Sequence, residues 1–298
     1  MIKGRGQKAE GRSGKFASGT LALYFCLLPF AFCLSGQDRY TPTNPIPLGD
    51  SLLSLPTSHI PSEGTWEIKF THRFNQSLDA GNTSNRIHTL FGLDSNADVA
   101  IGGSYAPRRD LQLSFLRSNA NDDIELALKY VVLQQAPAIP FSAALRAGGD
   151  WRTEQNLRDR TSGFAQVVLS HQFGRKAEIF VIPTFATEAG RVVSGNTSAA
   201  MFRHAFNVPI GGAIMIRPAL SIVGEIIPKN HDLPDDFHAD MGWAIGLKRA
   251  IGGHYFEVLV TNSNATHVDQ YVTSTYQGAG LVRGDLHLGF NIERRFGK

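Results

Sequence analysis

Charged side chains of both signs recur at every second position in several stretches of the chain. In Trp66–Phe74, Ile124–Val132 and Asp285–Phe296 they alternate with apolar residues, and residues two apart share one face of a β-strand. Such a face could bind or select small charged solutes, or it could be filled by internal salt bridges. The residues that would line it are Glu67, Lys69, Arg73, Glu125, Lys129, Lys248, Asp285, Glu293 and Arg295.

No motif in the sequence indicates catalysis or a bound cofactor. A hydrolase needs a nucleophile, a base and an orienting group within reach, but Ser170 and His171 are adjacent and would point to opposite faces of a strand. His231 and His238 share a stretch with four aspartates, yet the spacing matches neither an EF-hand nor an H-E-x-x-H motif. We therefore predict no enzyme, no cofactor and no metal, although distant strands could still assemble an active site.

From Trp66 onward the dominant pattern has a period of two, and no segment shows a helical stripe. Most of the predicted strands are about 8–12 residues long, whereas strands of soluble sheets are typically about 5–6. A strand that spans a membrane needs about 9–11 residues, so the lengths favour a membrane protein. The twelve predicted strands are 66–74, 97–106, 110–118, 123–133, 141–151, 163–173, 177–187, 200–209, 214–227, 240–249, 254–261 and 285–296.

The predicted connections mostly alternate between long and short ones. Bacterial outer-membrane barrels have long extracellular loops and short periplasmic turns, and their sheets must close because lipid offers no hydrogen bonds. We therefore predict an all-β fold, a transmembrane antiparallel β-barrel of about 12 strands. The long loops are 75–96, 152–162, 188–199, 228–239 and 262–284, and the short turns include Gly174–Lys176, Gly211–Gly212 and Gly252–Gly253.

The N-terminal region predicts export. Within residues 1–36, five basic residues and one acidic residue precede the apolar stretch Leu21–Leu34. This order is typical of a secretory signal peptide. Both cysteines, Cys26 and Cys33, lie within it. Residues 37–64 contain five prolines and predict an extended leader, so that the barrel would occupy residues 65–298.

The overall charge of +3 is a property of this N-terminal segment. Without residues 1–36, the chain has 24 basic and 25 acidic residues. No basic patch with interleaved aromatic residues remains, so nucleic acid is not an expected partner. The low charged fraction of 18% fits a sheet that has one face against lipid, the expected partner.

The end of the chain resembles the C-terminal strand by which outer-membrane barrels are recognised during assembly. Gly289, Phe290, Ile292 and Phe296 would form this signal, and the barrel-assembly machinery would be its partner. Gly297 and Lys298 follow the last phenylalanine, which is a small departure from the pattern.

Four stretches resemble an uncharacterised family of bacterial outer-membrane β-barrel proteins. They are Trp66–Phe74, Thr89–Ser95, Gly253–Ser263 and Gly284–Phe296, and in order and spacing they cover about residues 50–296. The resemblance implies a barrel in the outer membrane, and it implies no activity, ligand or catalytic residue.

The sequence leaves three functions open. The first is passive passage or binding of a small solute of unknown identity. The second is a structural or interaction barrel that binds a partner through loops 75–96 and 262–284. The third is a soluble periplasmic, lipocalin-like barrel for an apolar ligand, which would need apolar residues inside. Barrels of about 8 strands are filled by side chains and those of 16–18 hold a channel, so twelve strands do not decide whether side chains and the leader block the lumen.

Overall fold

The chain divides into two units, residues 1–38 and residues 39–298. A computed structural model describes residues 46–78, 80–154, 160–194, 197–229, 240–274 and 286–297, without the side chains of 191–194 and 197–201. The predicted signal peptide and residues 37–45 of the predicted leader lie outside the described residues. His231, His238 and Asp285 also lie outside them.

The described part of the chain forms twelve antiparallel strands, as the period-two pattern predicts. Two of them, β7 and β8, are each interrupted once and consist of two segments. The strands are β1 (Trp66–Phe74), β2 (Ala97–Arg108), β3 (Leu111–Ser118), β4 (Asp123–Leu133), β5 (Ser142–Arg152), β6 (Thr161–Phe173), β7 (Ala177–Val181 with Thr184–Ser194), β8 (Thr197–Asn207 with Ile210–Arg217), β9 (Leu220–Ile227), β10 (Gly242–Ile251), β11 (His254–Thr261) and β12 (His287–Phe296).

Two short helices lie in the connections, α1 (Thr83–His88) and α2 (Val268–Tyr271). No helix in the described ranges is long and apolar enough to cross a membrane.

Proline explains the interruptions of β7 and β8. Pro183 and Pro209 lack the N–H group that a strand ladder requires. The N–H of Ile182 donates to the carbonyl of Pro209 at 2.9 Å, so the two interruptions lie side by side. The first segment of β7 pairs with the second segment of β8, and the second with the first.

The sheet closes on itself. Each strand pairs with the next, and β1 pairs with β12, with Trp66 opposite Phe296 and Arg73 opposite Gly289. Closure removes the open edges, which lipid would not tolerate. The all-β fold and the predicted number of strands are confirmed.

The two faces of the wall have opposite character. On β1, Trp66 and Ile68 are 57% and 54% exposed on the outside, while Glu67 is 2% and Arg73 is 1% exposed on the inside. The same alternation continues around the barrel. A lipocalin-like barrel needs the reverse arrangement, so that alternative is wrong.

The predicted turn at Gly211–Gly212 is wrong. Strand β8 continues through both glycines, and the chain turns at Pro218–Ala219, where Ala219 has a φ of 61°. A Cβ atom at Gly211 would lie 2.3 Å from Cδ1 of Leu52. The glycine therefore makes room for another segment of the chain inside the barrel, and not for a turn.

The predicted strand 214–227 consequently consists of two strands, the end of β8 and β9. The predicted loop 188–199 is also mostly strand, since β7 ends at Ser194 and β8 begins at Thr197.

Candidate functional site

The lumen of the barrel is occupied by residues 46–60, which we call the plug. Ile46, Leu48, Leu52, Leu53 and Leu55 are at most 1% exposed. The plug contacts side chains on β1, β4, β6, β7, β9, β10 and β12. Because these strands lie all around the barrel, the plug is inside it.

Glu225 on β9 holds the centre of the plug. One carboxylate oxygen, Oε1, accepts the backbone N–H groups of Leu53, Ser54 and Leu55 at 2.7, 2.8 and 2.8 Å. Hydrogen bonds to a charged acceptor are about twice as strong as neutral ones. The side chain is 3% exposed, so its removal would leave three donors inside the protein without this acceptor.

Lys248 on β10 binds the plug from its carbonyl side. Its ammonium donates to the carbonyls of Ser51 and Leu52 at 2.7 and 3.2 Å. It also forms ion pairs with Glu257 at 2.5 Å and Glu293 at 3.8 Å. The hydroxyl of Ser51 donates to Glu293 at 2.9 Å. One buried cation thus joins the plug to three strands of the wall.

Arg73 and Asn291, on the paired strands β1 and β12, bind the same part of the plug. Nδ2 of Asn291 donates to the carbonyl of Leu53 at 2.8 Å, and Arg73 donates to that carbonyl at 3.4 Å and to Oγ of Ser54 at 3.3 Å. Arg73 also donates to Oδ1 of Asn291 at 2.7 Å. The contact therefore depends on the closure of the barrel between its first and last strands.

Further around the wall, Lys129 of β4 donates to the carbonyls of Asp50 and Thr57 at 3.4 and 3.3 Å. Burial alone would raise the pKa of Asp50, but the charges of Lys129 and Lys69 outweigh burial and hold that pKa well below its usual range. Asp50 is therefore a carboxylate in the lumen, close to two lysines.

Two further contacts fix the end of the plug. The hydroxyls of Ser58 and Ser170 are 2.7 Å apart, and Nε2 of His59 lies 3.0 Å from Glu178. The side chain of His59 is 24% exposed, so its contact with Glu178 contributes less than the buried contacts do.

A second segment, residues 262–274, fills the lumen beside the plug, and we call it the inward loop. His267, Asp269 and Thr273 are completely buried. Nδ2 of Asn207 donates to the carbonyl of Val272 at 2.9 Å, and Glu125 accepts the N–H of Val268 at 3.1 Å. This half of the long loop 262–284 therefore turns inward.

Tyr271, on α2 of the inward loop, packs against the wall. Its hydroxyl accepts a hydrogen bond from Nε2 of Gln166 at 2.8 Å, and it is 2% exposed. Burial raises the pKa of Tyr271, so the phenol is neutral.

The plug and the inward loop leave a cavity of about 80 Å³ between them and the wall. A buried water needs about 10–15 Å³ on this measure, so the cavity has room for a few waters and not for a larger solute. Its lining includes Asp50, Ser54, Glu67, Lys69, Arg73, Glu125, Lys129, Arg146, Thr266 and Tyr271. In the described part of the chain, the lumen is filled, partly by these polar groups and partly by apolar side chains such as Phe180, Val223 and Leu259, which form one buried cluster with the leucines of the plug.

The charged residues that the alternation predicts as lining side chains lie on the inner face, with the exception of Asp285, which is outside the described residues. The pairing of β1 with β12 places Glu67 2.5 Å from Arg295 and Lys69 3.3 Å from Glu293. These contacts are the internal salt bridges that the sequence offers as an alternative to a selectivity lining. A role of these residues in selecting a solute stays a prediction.

Sequence reasoning missed Glu225, the residue with the most contacts to the plug backbone. A signal for it exists, since Glu225 is the single charged residue within the apolar strand Leu220–Ile227. A lone acid in such a strand needs a partner on its face, and here the partner is the backbone of the plug.

The predicted assembly residues occupy the two faces of β12. Ile292 and Phe296 are 39% and 41% exposed on the outside, and the ring of Phe290 stacks on His72 at 4.9 Å. Gly289 faces inward, where a Cβ would lie 2.8 Å from Cδ of Arg73. Their recognition by the assembly machinery stays a prediction.

A closed antiparallel sheet with an apolar outside and a polar inside defines a membrane-bound β-barrel of the outer-membrane type. Residues 49–296 match the family described as a membrane bound beta barrel domain, DUF5777. The chain belongs to this family. The predicted resemblance and the predicted location in the outer membrane are thereby confirmed.

A search of curated proteins found no match. Among solved structures, the NanC porin is 8% identical with a TM-score of 0.47, over 78% of this chain and 100% of that one. An outer membrane channel from Pseudomonas putida F1 is 9% identical with a TM-score of 0.45, over 80% and 97%. Outer membrane phospholipase A from Escherichia coli is 10% identical with a TM-score of 0.40, over 80% and 94%. These similarities are too low to support an inference about activity.

Proposed function

We propose that the barrel is a passage for a small polar solute and that the plug closes it at rest. The charged side chains of the inner face support this proposal, because they would line a water-filled path once the plug leaves. A filled lumen requires that the plug or the inward loop moves before a solute can pass.

The way in which the plug is attached is the observation that carries the proposal. In the described residues, the backbone–backbone hydrogen bonds of the plug are internal, for example from the N–H of Thr57 to the carbonyl of Asp50 at 2.9 Å. The wall binds the plug through side chains such as Glu225 and Lys248. The plug can therefore leave the lumen without breaking the ladder of the barrel.

Single-channel conductance in planar bilayers tests this function. We expect brief and rare openings of the wild-type protein, and more frequent openings of Glu225→Ala, which leaves three N–H groups of the plug without their acceptor. Glu63→Gln is the control, because Glu63 is exposed and lies outside the plug.

A second variant disturbs the plug without changing charge. Gly211→Val places side-chain atoms where Leu52 lies and should also open the channel, whereas a Cβ at Gly224 would meet only one atom, at 4.0 Å. Gly224→Val is therefore the matched control. Silence of the wild type and of both plug variants would contradict the proposal and favour a structural role.

The alternative of an interaction barrel now depends on loop 75–96. The described half of loop 262–284 faces inward, so it offers little surface to a partner. In loop 75–96, by contrast, Ile87, Leu90, Phe91 and Leu93 are 60%, 59%, 49% and 47% exposed. Exposed apolar residues of this kind mark surfaces that bind lipid or protein.

A further inference from the structure

A second charged site lies where the inward loop meets strands β4 and β5. Asp123, Asp150 and Asp269 each contribute a carboxylate oxygen, and these three oxygens lie within 4.8 Å of one another. The three residues are 0%, 2% and 0% exposed. Two carboxylates come from the wall and one from the loop.

The hydrogen bonds of the three carboxylates are incomplete. Arg152 contacts Asp269 and lies 3.9 Å from Asp123, and Nε2 of Gln270 donates to Oδ2 of Asp123 at 3.3 Å. Both oxygens of Asp150, and Oδ1 of Asp123 and of Asp269, have no hydrogen-bond partner among the described residues. An uncompensated buried charge costs several kcal/mol, so this group needs another positive charge.

The imidazole of His267, at the same place, also has incomplete hydrogen bonding. His267 is completely buried, and its Nδ1 lies 3.1 Å from Oγ1 of Thr266. Its other ring nitrogen, Nε2, has no hydrogen-bond partner among the described residues. His267 is thus a further polar group whose bonding is incomplete at this site.

Among the residues that the structure describes, the nearest charged side chains do not supply the missing charge. Glu125 lies directly opposite Asp150 on the paired strands, and like charges in this position repel each other. Arg146 forms an ion pair with Glu125, so its charge is balanced there. Three aspartates therefore share the one guanidinium of Arg152.

We propose that Asp123, Asp150 and Asp269 bind a hard divalent cation that fastens the inward loop to the barrel wall. Carboxylate oxygens are the ligands that Ca²⁺ and Mg²⁺ prefer, and Ca²⁺ accepts the irregular geometry that a loop and two strands offer. The proposal of this site does not rest on the passage proposed above, because cation binding can be measured whether or not the plug moves.

A second acidic group in the lumen, in contrast to the proposed cation site, has basic side chains beside it. Asp50, Glu67 and Glu293 also bring three carboxylate oxygens within 4.8 Å. There, Lys69 and Arg295 lie 3.3 and 2.5 Å from Glu293 and Glu67. The protein neutralises that group itself, so we expect no cation there.

Calcium binding to the purified full chain in detergent tests the proposal. After treatment with a chelator, calorimetric titration with CaCl₂ should show saturable binding of one Ca²⁺ per chain. The temperature at which the folded, fast-migrating form disappears on gels should rise with Ca²⁺. Asp150→Asn should lose both responses, and its stability without Ca²⁺ should be at least that of the wild type, since a buried charge is removed.

The matched control is Asp122→Asn, the same substitution one residue before Asp123. Asp122 is exposed and pairs with Arg117 at 2.6 Å, so both Ca²⁺ responses should be retained. If Asp150→Asn does not fold, Asp269→Asn tests the same site from the loop. Absence of Ca²⁺ binding to the wild type, or full Ca²⁺ binding by the Asp150 and Asp269 variants, would overturn the proposal.

Discussion

The plug and the inward loop both fill the lumen, yet their charges are balanced in different ways. The plug meets carboxylates that have lysine or arginine partners, such as Glu293 with Lys69 and Lys248. The inward loop brings Asp269 to two further aspartates, and among the described residues Arg152 is the one basic side chain that forms ion pairs with this group. The charges around the plug are thus balanced within the chain, whereas the proposed cation site would make the inward loop depend on an ion from the solution.

The largest expected effect is on the plug. Lys248→Met removes the donor to Ser51 and Leu52 and leaves Glu257 without its cation. Breaking a buried ion pair on one side costs about 3–5 kcal/mol, so the unfolding temperature should fall markedly, with or without Ca²⁺. Thermal unfolding followed by gel mobility measures this, and the exposed Lys229→Met is the control. If Ca²⁺ restored the unfolding temperature of Lys248→Met, the plug would also depend on the cation, and the contrast between the plug and the inward loop would be wrong.

A smaller effect is expected at the inward loop. Tyr271→Phe removes the acceptor for Nε2 of Gln166 and should cost about 1 kcal/mol. The loss should appear as faster cleavage of the inward loop by an added protease, while the plug remains protected. Tyr130→Phe, on the outside of the wall, should change nothing. If the protease cleaved the plug as fast as the inward loop in the Tyr271 variant, the two segments would unfold together.

The smallest expected effect is a difference in acid stability, and it concerns Asp50. Its pKa is lowered in the folded protein, so its contribution to stability is complete above the ordinary value of about 3.8 and is lost as the pH falls through the lowered pKa. The wild type should therefore lose stability below about pH 4, and Asp50→Asn should lose less over the same range. Unfolding temperatures measured between pH 6 and pH 3 decide this, and identical slopes would show that the plug does not need this charge.

The sequence predicts the strands of the wall well because the alternation of apolar and polar residues is a local pattern. Alternation along one strand places Trp66 outside and Glu67 inside without knowledge of any other strand. The double glycine at Gly211–Gly212 predicts a turn because such pairs are typical of turns, and here that local rule is wrong. The actual reason is Leu52, which lies across the lumen.

The plug could not be predicted in this way, because its contacts join distant parts of the chain. The N–H of Leu53 and Glu225 are 172 positions apart in sequence. Five prolines indicate an extended segment and say nothing about its location. The same holds for Asp269, whose partner Arg152 is 117 positions away.

The pairing of Trp66 with Phe296 has a consequence for the order of folding. It joins the two ends of the barrel, and closing so long a stretch of chain is the slowest kind of contact to form. The plug immediately precedes β1, and its contacts with Arg73 and Asn291 straddle that seam. We therefore expect the plug to enter while the sheet is still open, so that the last step of folding wraps the wall around it.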